Sequence, residues 1–293
     1  MRNWFRGVMI ATLIATATVG MFLFLGRPIA GQTQGSAYQA PRLPGTPHPD
    51  MSGIWQTLTT ANWDIQDHSA EPGPYPALLG AWGAQPAGQG IVEGGALPYK
   101  PEALDKKKAN YAKRLSIDPF NIHTTGDPEA KCYAPGVPRA MYMPYPFQIV
   151  QMPNKVLMVF GYSNVSRFIQ LENHREAPID LWMGWSNGKW EGDTLVVDVT
   201  GFNGHAWLDR AGNFTSSALH VVERYTFSGP NSINYEATIE DPNVFTRPWK
   251  VSFPLYRRLE KNVQLLDFRC VPFTEEFLYA GLAKKGSYVK KGS

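Results

Sequence analysis

Apolar residues recur at every second position along several short segments in the second half of the chain. The pattern is clearest in Ile233–Ile239, and Trp249–Leu255 and Leu195–Val199 repeat it. Side chains of a strand point alternately to opposite faces of its sheet, so a period of two indicates strands with one face against a core. The short connections between these segments predict antiparallel pairing.

Turn-forming residues separate these segments and delimit the predicted strands. Pro153-Asn154 and Gly192-Asp193 are placed as turns before strands, and Asn187-Gly188 is placed as the turn that ends an earlier strand. The strands predicted in this half are Val156–Tyr162, Leu181–Trp185, Thr194–Thr200, Leu219–Phe227, Ile233–Ile239, Trp249–Leu255 and Val263–Cys270.

These strands predict an all-β fold, an antiparallel meander that closes into a lipocalin-like barrel or a sandwich. A first strand opens at Gly53-Ile54-Trp55. One short surface helix is expected over Pro101–Leu115, which begins with proline and carries acidic residues early and basic residues late. The preceding segment, 64–100, is rich in Gly, Pro and Ala and is expected to form long loops.

The amino terminus predicts export. Arg2 and Arg6 precede an uncharged run, Val8–Gly26, that is long for a cleaved signal and just long enough to cross a bilayer. Residues 1–30 are therefore interpreted as a signal peptide or as a membrane anchor acting through residues 8–26. Both alternatives predict that the rest of the chain is periplasmic or secreted. In the second alternative, residues 8–26 would anchor it to the membrane.

Composition and charge exclude several classes of protein. Aromatic residues make up 13% of the chain and charged residues 18%, which is too apolar for a disordered protein. Once residues 1–30 and their three arginines are set aside, basic and acidic residues balance, so no nucleic-acid partner is expected. The remaining chain is divided into a linker, a single β-rich domain and a flexible basic tail, at residues 31–50, 51–275 and 276–293.

Two cysteines occur in a chain expected to enter an oxidising compartment. A disulfide between Cys132 and Cys270 is the favoured interpretation. A nucleophilic cysteine or half of a metal site are the alternatives, but the chain has no Cys-x-x-Cys motif and no third cysteine. Neither a metal site nor a cofactor is predicted.

Five separated motifs resemble a large family of exported bacterial proteins, most of them without an assigned activity. The resemblance extends over roughly residues 49–275 and implies kinship, but it implies no particular chemistry. The motifs are Pro49–Trp55, Cys132–Arg139, Lys189–Val197, Val222–Tyr225 and Ile239–Pro242.

Glu223 is the most informative single residue. It occupies an inward position of Leu219–Phe227, where the other odd-numbered residues are apolar. A carboxylate that faces a core is costly unless it is paired or hydrogen-bonded. Glu223 is therefore either a general acid with a raised pKa in a pocket, or half of an internal ion pair with Arg167 as the candidate partner.

The segment Gly201–Ala218 is unusually long for a connection in this part of the chain. It contains His205 and Asp209 together with two large aromatic residues, Phe202 and Trp207. Such a loop is expected either to form a lid or pocket wall, or to cover the end of the core. Exposed tryptophans could also stack on a flat ligand, and the candidates are Trp182, Trp185, Trp190 and Trp207.

Three functions are compatible with these features. The first is an exported protein that binds a small, largely apolar molecule. The second is a periplasmic hydrolase, isomerase or lyase that uses Glu223, His205 and Asp209 as acid–base residues in the barrel mouth. The third is a structural protein without a pocket. For the first function, the candidate ligand-binding residues are Arg167, Phe202, Trp207, Tyr225 and Tyr235.

Overall fold

The computed structural model describes residues 38–72, 84–114, 126–266 and 268–270. Its helices are α1 (Pro101–Lys113), a 3₁₀ helix (Pro128–Lys131) and α2 (Arg139–Tyr142). Its strands are β1 (Gly53–Gln56), β2 (Glu71–Pro72), β3 (Ala84–Gln85), β4 (Phe147–Met152), β5 (Lys155–Phe160), β6 (Ser166–Gln170), β7 (Trp185–Glu191), β8 (Thr194–Thr200), β9 (His220–Gly229), β10 (Ser232–Glu240) and β11 (Trp249–Arg257).

The strands form a closed barrel in the order β1-β11-β10-β9-β8-β7-β6-β5-β4, and β2 and β3 form a separate two-stranded sheet. The last strand pairs with the first through Trp55 and Arg257, and β1 also pairs with β4. The predicted all-β barrel is thus confirmed. One feature departs from a pure meander, because β6 and β7 run parallel and pair only at Ile169↔Ser186 and Gln170↔Asn187.

Side chains fill much of the barrel interior. The alternating residues of β8–β11 point inward as their period of two predicts, and they are buried. Helix α2 adds Met141 and Tyr142, both fully buried. The Tyr225 hydroxyl oxygen lies 3.6 Å from the Met141 sulfur, and the Tyr142 ring packs edge-on against Phe253. This helix therefore packs into the aromatic core of the barrel.

Two predicted strands are wrong. Asn187-Gly188 does not form a turn after Leu181–Trp185 but lies inside β7, and the turn follows at Gly192-Asp193. Gly188 serves packing, because a Cβ at this position would lie 2.5 Å from the Ile169 side chain. Val263–Cys270 forms no strand in its described residues, since β1 already occupies the free edge of β11.

The predicted linker is folded from residue 39 onward. Arg42 and Pro49 pair as an isolated bridge, and the Asp50 amide donates to the Pro41 carbonyl at 2.8 Å. The His48 ring stacks on Trp190, with the ring centres 4.8 Å apart. The described part of the predicted linker thus packs against β7.

The helix predicted over Pro101–Leu115 is observed as α1, and the predicted disulfide joins Cys132 to Cys270, with the Cα atoms 5.2 Å apart. Among the described residues, no helix combines the length and the apolar composition that a membrane crossing requires. The signal or anchor at residues 1–30, including the run 8–26, and the tail at 276–293 lie outside the described residues.

Candidate functional site

Glu223 lies in the barrel interior, where it pairs with Arg167. Its Oε2 accepts from Arg167 Nη2 at 2.5 Å, and its Oε1 accepts from Arg167 Nη1 at 3.2 Å. The hydroxyls of Tyr225 and Tyr235 donate to the same Oε1 at 2.8 and 2.9 Å. Protein donors therefore occupy both carboxylate oxygens of Glu223. Of the two alternatives predicted for this residue, the structure contains the internal ion pair with Arg167.

This pairing has electrostatic consequences for its neighbours. Burial and the Glu223 charge raise the pKa of both tyrosines well above the ordinary value, so they remain hydroxyl donors. Burial lowers the pKa of Arg167, but Glu223 more than offsets this, and the pKa lies above its usual range. The cluster is thus a neutral, hydrogen-bonded unit inside the barrel.

Asp209 belongs to a second buried cluster, which residues of the loop 201–218 form with residues 64 and 65. Its carboxylate accepts from the Asn213 side-chain amide at 2.6 Å and from the Ile65 backbone amide at 3.0 Å. The same Asn213 amide lies 3.4 Å from Asp64 Oδ1 and so bridges the two carboxyl groups. Burial, followed by the charge of Asp64, raises the pKa of Asp209 to about 7.

A third cluster contains residues that sequence reasoning did not select. Arg139 is buried and donates through two nitrogens to both oxygens of Asp127, each at 2.7 Å. Arg210 makes a similar two-point contact with Glu129, at 2.8 and 3.0 Å. Burial raises the pKa of Glu129, but the charges of Arg210 and Arg139 outweigh it, so the pKa lies below the usual range. The sequence did indicate that Arg139 could be buried, because this charged residue is followed by the apolar run 140–143.

The long loop covers part of the core and holds its predicted site residues apart. Phe202 is buried and bridges to Leu181, whereas Trp207 bridges to Phe214 within the loop. His205 is exposed, with its ring 5.8 Å from that of Trp182. Asp209 and Glu223 have separate sets of hydrogen-bond partners among the described residues. Glu223, His205 and Asp209 therefore do not share one hydrogen-bonded site.

A cleft of about 360 Å³ opens in the barrel wall where β6 and β7 diverge. Trp182 and Trp185 lie on one side of the cleft, and Phe168, half exposed, lies on the other. Arg167 also lines the cleft, and because its guanidinium pairs with Glu223, this residue connects the cleft with the barrel interior. The complete lining is Ser166, Arg167, Phe168, Gln170, Leu181, Trp182, Met183, Gly184, Trp185 and Ser186.

Three polar atoms of the cleft residues are buried without a hydrogen-bond partner in the described part of the chain. They are Arg167 Nε, Ser186 Oγ and Trp185 Nε1. Most buried polar groups in folded proteins are paired, so three unpaired ones around a single cleft require an explanation. A ligand that supplies the missing partners is one such explanation.

A second cleft, of about 490 Å³, lies along β9, β10 and β11. Asn234, Ser252 and Pro254 in its lining are exposed. Within the described ranges, its residues include none of the buried polar atoms that lack a partner. This second cleft thus lacks the buried, unpaired polar atoms that distinguish the wall cleft.

The ligand-binding residues predicted from the sequence are distributed over several places. Arg167 lines the wall cleft, Tyr225 and Tyr235 bind Glu223 behind it, and Phe202 and Trp207 lie in the loop. In the residues that the structure describes, no three His, Cys, Asp or Glu side chains are grouped as metal ligands. The wall cleft itself was not foreseen, because it depends on the parallel pairing of β6 and β7.

No model of a known protein family matches the chain, and a search of curated proteins finds no match either. The family resemblance of the five motifs therefore stays a prediction.

Proposed function

We propose that this protein binds a small, largely apolar molecule in the wall cleft between β6 and β7. The observation that carries the proposal is the lining of the cleft, in which aromatic and aliphatic side chains surround a few buried polar atoms. Ligand sites are commonly clefts of roughly 300–1,000 Å³ with this kind of lining. A cleft of about 360 Å³ suits a small aromatic ligand.

The alternative, an acid–base enzyme, has less support. Asp209 has a raised pKa of the kind that a general acid needs, but its oxygens bind Asn213 and Ile65. Glu223 is saturated by Arg167 and two tyrosines. Either residue would have to break its internal hydrogen bonds before it could reach a substrate.

A fluorescent probe with no acceptor group tests the binding proposal. N-phenyl-1-naphthylamine should bind with increased emission, and Ser166→Phe should weaken its affinity by at least about tenfold, because the new ring fills the cleft. Ser166 is exposed at the start of β6, so the fold should tolerate the change.

Ser228→Phe provides the matched control for this experiment. Ser228 is also an exposed strand serine, but it lies in β9 and does not line the wall cleft. Its variant should bind the probe as the unmodified protein does. Equal affinity in all three proteins would contradict the proposal, as would the absence of binding.

We also propose that the protein acts outside the cytoplasm, in the periplasm or as a secreted protein. The Arg2–Gly26 segment and the disulfide between Cys132 and Cys270 support this location. Mass spectrometry of protein recovered from its native envelope should find an oxidised Cys132–Cys270 pair. It should also find either a terminus near residue 30 or an intact anchor, and a cytoplasmic, reduced protein would contradict the proposal.

A further inference from the structure

The polar atoms of the wall cleft have a common chemical character. Arg167 Nε and Trp185 Nε1 can only donate hydrogen bonds, and Ser186 Oγ can donate as well as accept. We propose, on the basis of the proposed function, that the cleft recognises a hydrogen-bond-acceptor group on an otherwise apolar, aromatic ligand. A carbonyl or carboxylate oxygen has this chemistry.

The state of Arg167 explains why one of its donors is free. Glu223 engages both terminal nitrogens, which leaves Nε as the one guanidinium nitrogen with no partner in the described chain. Because the two charges cancel, the ion pair requires no counter-ion. The remaining N–H can still donate to a ligand oxygen.

A cationic ligand fits this cleft poorly. The carboxylate nearest to Arg167 already accepts four hydrogen bonds from three side chains. Arg175 lies over the Trp185 ring, 4.9 Å from its centre, and so adds a positive charge beside the cleft. The local chemistry therefore favours an electron-rich group over an ammonium group.

Access to the donors requires the cleft to widen. The three atoms are shielded from water, so an acceptor reaches them only when the wall between β6 and residues 181–186 opens. The two strands are paired at only two positions, and few hydrogen bonds resist such an opening. A ligand oxygen that pairs the buried donors would then stabilise the opened state.

Three naphthalene derivatives of similar size test the proposal by displacement of N-phenyl-1-naphthylamine. 1-Ethylnaphthalene has no acceptor, 1-acetylnaphthalene has a neutral carbonyl, and 1-naphthoate has an anionic carboxylate. We expect 1-acetylnaphthalene to bind at least about tenfold more tightly than 1-ethylnaphthalene. The affinity of 1-naphthoate relative to 1-acetylnaphthalene then shows whether the natural acceptor is charged or neutral.

Two conservative variants locate the effect. Ser186→Ala and Trp185→Phe each remove one unpaired polar group, so both should fold, and each should reduce the preference for the acetyl over the ethyl compound. Trp190→Phe is the matched control, because Trp190 Nε1 is also buried without a partner among the described residues but lies outside the cleft. It should leave the preference unchanged.

The outcomes separate this inference from the proposed function. Equal affinities for the ethyl and acetyl compounds, with probe binding still blocked by Ser166→Phe, overturn the acceptor inference alone. The acceptor inference is also overturned if Trp190→Phe reduces the preference for the acetyl over the ethyl compound as much as Trp185→Phe does. If N-phenyl-1-naphthylamine does not bind, both proposals are overturned.

Discussion

Glu223 and Arg167 are the most consequential residues of the barrel interior. Removal of two charges from water is costly, and their mutual attraction compensates only when the geometry is good and the other lone pairs are used. Here the ion pair is bidentate, and two tyrosine hydroxyls donate to the remaining lone pairs of the Glu223 carboxylate. The network also fixes the side chain of Arg167, a residue that lines the wall cleft, so stability and the proposed recognition depend on the same residue.

Loss of the Glu223 charge should be strongly destabilising. Glu223→Gln leaves Arg167 buried and unneutralised, and we expect a loss of about 3–5 kcal/mol in the free energy of unfolding. Urea denaturation followed by circular dichroism measures it. Glu191→Gln is the control, because Glu191 pairs with Arg224 at the exposed surface and its loss should cost far less. Equal losses in the two variants would contradict this account.

Asp209 should make stability fall with rising pH. Its pKa of about 7 in the folded protein exceeds the value of about 3.9 expected in the unfolded chain. The folded state therefore binds the proton more tightly, and the stability contributed below about pH 4 is lost as the pH rises through about 7. Asp64, whose pKa is also raised by burial, contributes in the same direction.

Asp64→Asn tests this pH dependence. The variant removes the neighbouring charge, so the loss of stability between about pH 5 and about pH 8 should be smaller than in the unmodified protein. Urea titrations at both pH values measure the difference. Asp67→Asn is the matched control for Asp64→Asn, because Asp67 also accepts a hydrogen bond from a backbone N–H but is exposed. An unchanged pH dependence in Asp64→Asn would argue against the coupling of the two carboxyl groups.

The sequence revealed some of these residues and concealed others. Glu223 interrupts a regular apolar face, so its position and its candidate partner Arg167 were visible in the strand pattern. The partners of Arg139 and Asp209 were not visible, because they lie outside any periodic segment and these contacts depend on how loops cover the barrel end. No local pattern contains that information.

At the level of elements, the parallel pairing of β6 and β7 produces the wall cleft. An antiparallel barrel joins neighbouring strands by short turns, but here residues 171–184 bring the chain back so that the start of β7 pairs in parallel with the end of β6. The connection adds Leu181, Trp182 and Met183 to the cleft. The prediction of a turn at Asn187-Gly188 failed because glycine is needed there for close packing against Ile169.

The disulfide attaches the segment after β11 to the end of the 3₁₀ helix. A double variant, Cys132→Ser with Cys270→Ser, should retain the barrel and lose about 2–5 kcal/mol in the free energy of unfolding. Chemical denaturation of the oxidised protein and of the variant measures the loss. Free thiols in the denatured, unreduced protein, or identical unfolding midpoints, would contradict the expectation.

At the scale of the whole molecule, the proposed site lies in the barrel wall and not in the barrel mouth. Helix α2 and the loop 201–218 bring Met141, Tyr142 and Phe202 into the core, so the open end expected from the meander is packed with side chains. An all-β antiparallel meander could be predicted from alternation and turns alone, with a barrel and a sandwich as its two alternatives. The location of the cleft could not, because it results from strand order rather than from any single segment.

Hydrogen–deuterium exchange with and without N-phenyl-1-naphthylamine tests the central claim most directly. The account predicts that the probe slows amide exchange in Ser166–Gln170 and in residues 181–186, which line the wall cleft. Peptides from β9, β10 and β11, which line the second cleft, should exchange as before. Protection confined to β9–β11, or to the loop 201–218, would contradict the assignment of the site to the β6–β7 wall.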